Sequence, residues 1–218
     1  MDLLVVEQQP DAPAGLIADW ATERGARLNV LHAPEVGEWP APPPGSAVVA
    51  LGSDHSVHAS PDPWIAREVA FLRDAHAAGA PVLGVCFGAQ ALAAALGGSV
   101  ERAERPEIGW IDVEGEAPEA GRWFAWHEDV ITLPPGTGAR ASTPSAPQAF
   151  AVGRSAGIQF HPEVTPAIVE DWLRTGRGDV DTHGVDADAV LRETRERAAE
   201  VRARAFALLD GISARWRA

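Results

Sequence analysis

Short apolar runs alternate with helical patterns through the first hundred residues of this 218-residue chain. Each apolar run is typical of a short buried strand, and the spacing of apolar residues between the runs is typical of helices. Strands joined by helices run parallel, and a parallel sheet is covered by helices on both faces. The predicted strands are residues 3–7, 28–31, 47–51 and 81–85, and the predicted helices are residues 15–24, 64–78 and 88–96.

The middle of the chain has a different pattern, in which Gly and Pro divide short strand-like pieces. The pieces predict antiparallel or mixed strands at residues 109–113, 130–133, 148–152 and 157–160. A short helix is predicted to follow them over residues 166–174 and to pack back on the sheet.

The last part of the chain is predicted to be a helical extension. A Gly- and Asp-rich link over residues 176–184 precedes a helical pattern over residues 186–215, with a break expected near Gly211. The apolar residues of this pattern form one stripe, which either docks on the preceding domain or contacts another protomer. The predicted division is a domain over residues 1–175, followed by a linker and a packed helical extension over residues 176–218.

Composition excludes several classes of partner and chemistry. A net charge of −13 repels phosphate backbones, so we expect no nucleic acid partner. Because no apolar run approaches the roughly 20 residues of a membrane helix and no signal-peptide pattern is seen, we expect no membrane association and a cytoplasmic location. The chain contains no lysine, which excludes a Schiff-base lysine and a P-loop lysine.

The only cysteine lies where an apolar strand ends and an alanine-rich helical pattern begins, in the stretch Gly84-Val85-Cys86-Phe87-Gly88-Ala89-Gln90. A thiol at a sharp strand-to-helix turn has the position that serine occupies in a nucleophile elbow. The N-terminus of the following helix favours the thiolate over the thiol. The alternative is a cysteine that packs as a small buried hydrophobe.

A histidine and a carboxylate come later, in the stretch Gly157-Ile158-Gln159-Phe160-His161-Pro162-Glu163. An apolar strand delivers His161, and the proline forces a turn. Glu163 can then reach back to one ring nitrogen and leave the other free for a partner, which is the base-and-orienter half of a catalytic triad. The alternative is a turn histidine with a purely structural hydrogen bond.

Over roughly residues 3–173 the chain resembles the class I, triad-type glutamine amidotransferases, and it is most similar to the guanylate-synthase-like and stand-alone members. This resemblance implies an α/β fold with three layers, in which a flavodoxin-like, mostly parallel sheet has helices on both faces and a small antiparallel section. Four segments carry the resemblance in the family's order: the elbow around Cys86, Glu107-Ile108-Gly109-Trp110, His127-Glu128-Asp129-Val130 with Leu133-Pro134, and Gln159-Phe160-His161-Pro162-Glu163.

The resemblance implies a role for each residue of the triad. Cys86 attacks the side-chain amide of glutamine or of another γ-glutamyl compound, and His161 takes the thiol proton and gives it to the leaving ammonia. Glu163 orients His161. Water then releases glutamate from the γ-glutamyl thioester.

The resemblance also implies the residues that surround the reacting amide. The backbone N–H groups of Phe87 and Ser53 would hold the oxyanion. The substrate-binding residues implied by the family are Gly52, Gln90, Trp126 and His127.

The loop after the third predicted strand departs from the family's pattern. It reads Gly52-Ser53-Asp54-His55-Ser56, where the family usually has Gly-Gly-Pro. We expect Ser53 to resist a peptide flip, which either fixes the oxyanion hole in one state or weakens it. Asp54 adds a carboxylate near the nucleophile, with His55 as a group that offsets its charge.

Three functions follow from these residues. The first is a glutaminase that supplies ammonia to a separate synthase, since a synthase does not fit within 218 residues. The second is a stand-alone hydrolase of γ-glutamyl amides or peptides, and the third is a non-catalytic relative. We expect a small γ-glutamyl ligand and no cofactor.

Two groups of polar residues could suggest a cation site, namely Asp54 with His55 and His58, and the acidic residues from Asp179 to Asp188. An open metal site needs three convergent ligands, whereas polar residues in a loop such as the first group are usually solvated. The second group lacks the spacing and the turn glycine of a calcium loop. We therefore expect no metal. Trp123 and Trp126 are interpreted as packing residues, with a pocket wall as the alternative.

Overall fold

The computed structural model describes residues 2–217, without the side chain of residue 177. Its helices are α1 (Gly15–Glu23), α2 (Pro63–Ala77), α3 (Phe87–Ala95), α4 (Pro166–Thr175), α5 (Arg177–Thr182) and α6 (Ala187–Arg215), with a 3₁₀ turn at Ala33–Glu35. Its strands are β1 (Leu3–Glu7), β2 (Leu28–His32), β3 (Ala47–Ala50), β4 (Val82–Val85), β5 (Ser99–Gly115), β6 (Gly121–Thr132), β7 (Ala141–Ser142), β8 (Pro147–Val152) and β9 (Ser155–Ile158).

The strands form one sheet in the order β2-β1-β3-β4-β9-β8-β7-β5-β6. The section from β2 to β9 is parallel, and the section from β9 to β6 is antiparallel. The parallel section has the strand order of the flavodoxin-like doubly wound fold, in which ligands bind beyond the carboxyl ends of the strands. The predicted three-layer α/β fold is therefore confirmed.

Alternation of side chains along each strand divides the core into two layers. On β1, Leu3 and Val5 belong to the cluster that contains the buried residues of α1 and α6. Leu4 and Val6 belong to the cluster that contains the buried residues of α2 and α3. Strands β1, β3 and β4 are therefore buried on both faces, which explains why they are continuous apolar runs in the sequence, whereas β2 at the edge of the sheet is exposed or half-buried.

The antiparallel section is longer than predicted, because β5 and β6 pair over most of their length in one hairpin. The prediction contained only residues 109–113 and 130–133 of these strands. The start of β5 was missed because it is charged and largely exposed, and its register shifts between Arg102 and Glu107. A strand without a buried face has no apolar alternation to reveal it.

The C-terminal part differs from the prediction in two respects. The segment interpreted as a link contains α5, and α6 continues without a break through Gly211. Gly211 faces the ring of Pro118, which a Cβ atom would approach to 3.1 Å. The apolar stripe of α6 is buried against the domain, with Leu208 and Leu209 fully covered in the same cluster as β1 and α1.

Within residues 2–217, no helix combines the length and apolar character that crossing a bilayer requires.

The turn between β4 and α3 requires two glycines. A Cβ atom on Gly88 would lie 2.1 Å from the carbonyl oxygen of Ala50, and one on Gly84 would lie 2.3 Å from the carbonyl oxygen of Gly88. The start of α3 therefore packs directly on the backbone of β3. Gly88 serves this approach, and Gly84 serves the close packing of β4 against the start of α3.

We expect Gly88→Ala to destabilise the fold by about 1–3 kcal/mol, because the added methyl group overlaps the backbone of β3. Thermal unfolding should show a decrease in Tm of roughly 2–4 °C for each kcal/mol. Gly138→Ala is the matched control, since no atom lies within 4 Å of the position of its Cβ. Equal Tm values for the two variants would contradict the packing described for the elbow.

Candidate active site

A cavity of about 540 Å³ opens at the carboxyl ends of the parallel strands. Residues that follow β1, β3, β4 and β9 line it, and the start of α5 closes one side. This is the edge of the sheet at which a doubly wound fold binds its ligands. Cys86 and His161 both line the cavity.

Cys86 occupies a strained backbone conformation between β4 and α3. Its φ is 51° and its ψ is −111°, and it is the only non-glycine residue with a positive φ within residues 2–217. Its N–H donates to the carbonyl oxygen of Ile158 at 2.8 Å, which fixes the turn against β9. A non-glycine residue in such a conformation costs about 1–3 kcal/mol and is characteristic of functional sites.

His161 and Glu163 form a buried pair just beyond β9. The Nδ1 atom of His161 lies 2.6 Å from Oε1 of Glu163, and both residues are at most 3% exposed. The backbone holds both residues, since the His161 N–H donates to the Phe124 carbonyl and the Leu16 N–H donates to the Glu163 carbonyl, each at 2.8 Å. The Nε2 atom remains as the nitrogen available to another group.

Gly52 separates Cys86 from His161. A Cβ atom on Gly52 would lie 3.2 Å from Cε1 of His161 and 3.7 Å from Cβ of Cys86. The glycine therefore keeps open the space in which the thiol and the imidazole face each other. The Cys86 Sγ atom also lies 3.7 Å from the carbonyl oxygen of Trp126.

The electrostatic environment of His161 favours the imidazolium. Burial alone lowers the pKa of His161, but the negative charges of Glu163 and Cys86, with hydrogen bonds to both, raise it from 6.5 to about 10. The arrangement can hold a proton on His161 between the Cys86 sulfur and the Glu163 carboxyl group.

The loop after β3 is anchored by a residue that the sequence analysis did not single out. Oε1 of Gln9 accepts from the Ser53 hydroxyl at 3.1 Å and from the Asp54 N–H at 2.9 Å. Ser53 is not among the residues with positive φ, so its backbone does not adopt the left-handed conformation that favours glycine. Phe87 is the first residue of α3, where backbone N–H groups lack an intrahelical acceptor.

Asp54 lies at the rim of the cavity, where its side chain is 78% exposed. Nδ1 of His55 lies 3.0 Å from Oδ1 of Asp54, and His58 lies 3.4 Å from Oδ1 of Asp129 through its Nε2 atom. Each histidine therefore faces a different carboxylate. Across residues 2–217, no group of three or more His, Cys, Asp or Glu residues is arranged to hold a metal ion.

The residues expected to bind substrate all line the cavity, but they differ in how they are held. Gln90 donates to Oε1 of Gln159 at 3.2 Å and is almost fully buried. Nδ1 of His127 lies 3.0 Å from the carbonyl oxygen of Asp129, and its Nε2 lies 3.1 Å from Oε2 of Glu107. His127 thus presents its ring to the cavity while both nitrogens face protein groups.

The two tryptophans near β6 have different environments. Trp123 is fully buried and stacks on Phe160 at a centroid distance of 4.6 Å, so it is a packing residue. Trp126 lines the cavity, and its Nε1 donates to Oδ2 of Asp179 at 3.4 Å. This contact connects the cavity wall to α5.

Trp172 on α4 is a further residue of the site that the sequence analysis missed. Its ring meets the His161 ring edge-on at a centroid distance of 4.8 Å. Its Nε1 donates to the carbonyl oxygen of Asp11 at 2.7 Å, which connects α4 to the segment after β1. The helix itself was predicted, but nothing in its local pattern distinguishes a tryptophan that covers a histidine of the cavity from one that packs in a core.

Comparison with known proteins agrees with this geometry. Residues 57–172 match the sequence model of the family described as glutamine amidotransferase class-I. A glutamine-hydrolysing GMP synthase of Thermus thermophilus is 39% identical over 145 residues, which cover 57% of this chain and 28% of that protein. The chain therefore spans only about a quarter of the length of this curated relative.

Solved structures match over nearly the whole chain. A glutamine amidotransferase from Thermotoga maritima superimposes with a TM-score of 0.87 and 25% identity, covering 97% of each chain. A glutamine amidotransferase from Methylobacillus flagellatus shares the fold, with a TM-score of 0.85 and 24% identity over 99% of this chain and 93% of that one. The chain belongs to the class I glutamine amidotransferase family.

We expect Glu163→Gln to lower the pKa of His161 far below its native value of about 10. The substitution removes a negative charge that favours the imidazolium and leaves the opposing effect of burial. NMR titration of the imidazole would measure the change. Glu128→Gln is the matched control, because Glu128 pairs with His183 at 2.8 Å and does not act on His161.

The same pair predicts a dependence of stability on pH. Because the pKa of His161 rises from 6.5 to about 10 on folding, its contribution to the free energy of unfolding is complete below pH 6.5 and is lost as the pH approaches 10. Glu163→Gln should flatten this part of the stability profile. An unchanged His161 pKa and an unchanged profile in Glu163→Gln would contradict the assigned ion pair.

Proposed function

We propose that this protein is a cytoplasmic enzyme that hydrolyses the side-chain amide of glutamine at Cys86 and supplies the ammonia to a separate synthase. The observation that carries the proposal is the buried His161–Glu163 pair, which faces a cysteine held at positive φ on the same edge of the sheet. Membership of the amidotransferase family supports the reaction class.

In the first half of the reaction, the Cys86 thiolate attacks the amide carbon and a C–S bond forms. The backbone N–H groups of Ser53 and Phe87 stabilise the negative charge that develops on the amide oxygen. His161 then donates its Nε2 proton to the amide nitrogen, the C–N bond breaks, and ammonia leaves. The product on the enzyme is a γ-glutamyl thioester.

In the second half, His161 accepts a proton from water as the water oxygen attacks the thioester carbon. The C–S bond breaks, glutamate leaves, and the pair of charges on Cys86 and His161 is restored. Glu163 keeps the imidazole in one orientation through both steps, because its carboxylate fixes Nδ1 at 2.6 Å.

The cavity residues supply recognition of the glutamyl group in this proposal. Gly52 leaves room for the reacting amide between the thiol and the imidazole. Gln90, Trp126 and His127 form the wall against which the amino-acid end of the substrate would lie. We further propose that residues 1–175 are the amidotransferase domain and that residues 176–218 complete its wall and core through α5 and α6.

The proposed synthase partner is inferred from the name of a relative. The Thermus protein is by its name a glutamine-hydrolysing GMP synthase, and this chain matches 28% of it. We propose that the acceptor of ammonia is bound by a separate synthase subunit.

A stand-alone γ-glutamyl amide or peptide hydrolase is the second candidate. The cavity favours it, because the space extends past Cys86 to Gly178 and Asp179 on α5 and could hold a substituent on the amide nitrogen. Glutamate release from glutamine, measured with and without a candidate synthase, should be compared with release from a panel of γ-glutamyl peptides. Partner-dependent glutaminase activity supports the first function, and robust turnover of peptides without a partner supports the second.

We expect Cys86→Ala to reduce glutamate release by more than about 10⁴-fold, because no other group can form the thioester. Glu163→Ala should reduce it by a smaller factor, since the orienting carboxylate does not take part in bond making. Steady-state kinetics on both variants would measure the two losses. Residual activity of Cys86→Ala close to that of the parent would refute the proposed nucleophile, and equal losses would refute the orienting role of Glu163.

A further inference from the structure

A buried carboxyl group outside the triad lies on α2. The Glu68 side chain is 0% exposed, and one of its oxygens, Oε1, accepts from Nε2 of Gln8 at 2.6 Å. Its other oxygen, Oε2, and the amide oxygen of Gln8 are both buried and have no hydrogen-bond partner within residues 2–217. Two buried acceptors therefore belong to the same pair of side chains.

One proton satisfies both acceptors. An ionised carboxylate only accepts hydrogen bonds, so it would leave Glu68 Oε2 and Gln8 Oε1 unpaired, at a large cost in a buried site. A protonated Glu68 carries an O–H on Oε2 that can donate to Gln8 Oε1. Together with the observed bond from Gln8 Nε2, it closes a ring in which each carboxyl and amide oxygen has a partner.

The surroundings of Glu68 provide no charge to stabilise an ionised form. The neighbouring elements α3 and β4 contain no Asp, Glu, His, Lys or Arg, and Glu35 on the 3₁₀ turn is exposed. Glu7 on β1 points to the opposite face, towards His32. Burial accordingly raises the pKa of Glu68 from 4.5 to about 8, and the hydrogen bond from Gln8 opposes this only in part.

The pair lies beside the loop that carries a proposed oxyanion donor. Gln8 is followed directly by Gln9, whose side chain accepts from the Ser53 hydroxyl and the Asp54 N–H. Fixing Gln8 to α2 therefore fixes the start of the segment that holds the Ser53 loop. A rigid support of this kind is what an oxyanion hole requires, since its donors must be in place before the charge develops.

We propose that Glu68 is a positioning residue that acts as a neutral acid: its closed ring with Gln8 fixes the segment after β1 and, through Gln9, holds the Ser53 loop in its oxyanion-binding geometry. The catalytic part of this inference depends on the proposed function, whereas the protonation of Glu68 does not. Glu68→Gln preserves the ring, because an amide supplies one donor and one acceptor in the same places. Glu68→Leu and Gln8→Leu each abolish it.

The protonation of Glu68 can be tested by thermal unfolding of the parent and of Glu68→Gln between pH 5 and pH 9. Because folding raises the pKa of Glu68 from 4.5 to about 8, its contribution to stability is complete below pH 4.5, falls as the pH rises to about 8, and is constant above that. Glu68→Gln lacks this loss, so its Tm relative to the parent should increase by roughly 5 °C or more across the range. A Tm difference that does not change with pH would overturn the proposal.

The positioning role can be tested with kcat and KM for glutamine, measured well below each Tm. We expect Glu68→Gln to keep kcat within about twofold of the parent, and Glu68→Leu and Gln8→Leu to lower kcat about tenfold with little change in KM. Leu72→Ala on the same helix is the control, because it removes a fully buried side chain outside the pair and should lower Tm without lowering kcat.

The kinetic outcomes separate the two proposals. Unchanged kcat in Gln8→Leu, or an equal loss in Glu68→Gln and Glu68→Leu, would overturn the positioning role. A parent that releases no glutamate from glutamine even with a synthase partner present would instead overturn the proposed function, and the pH dependence of Tm would still report whether Glu68 is protonated.

Discussion

The site depends on the packing of the β4–α3 turn against β3. Gly88 allows the backbone of α3 to approach β3 closely, Gly84 allows β4 to approach the start of α3, and these contacts support Cys86 at a φ of 51°. A turn with side chains at the glycine positions could not reach this geometry. The strain is held by the surrounding sheet, and it projects the cysteine into the cavity at the N-terminus of α3.

The other part of the site is the pair of His161 and Glu163, which lies in the same core. Glu163 and His161 are buried beyond β9, and the charges of Glu163 and Cys86 outweigh the effect of burial on the imidazole. Glu68 illustrates the opposite case, because burial raises its pKa and the hydrogen bond from Gln8 opposes this only in part. The His161 imidazole and the Glu68 carboxyl are both buried, and the direction in which each pKa departs from its ordinary value follows from the neighbouring groups.

Sequence patterns predicted the elements whose structure is determined by residues within the same segment of the chain. Strands β1, β3 and β4 are buried on both faces and therefore appear as apolar runs in the sequence, and the glycines around Cys86 indicated the nucleophile elbow. The same patterns failed for the exposed start of β5 and for α5, which has few apolar residues to mark it. Gln9 and Trp172 could not be predicted as parts of the site, because each reaches it through a contact between elements distant in the chain.

The central claim is that Cys86 is an activated nucleophile in a cavity that binds a glutamyl group. Reaction with a glutamine-like diazo-ketone, followed by intact-mass and peptide mass spectrometry, tests both parts of this claim at once. The account predicts one adduct per chain on Cys86, formed rapidly and slowed by free glutamine, with little labelling in Glu163→Gln. Absence of the adduct, or labelling that glutamine does not slow, would contradict it.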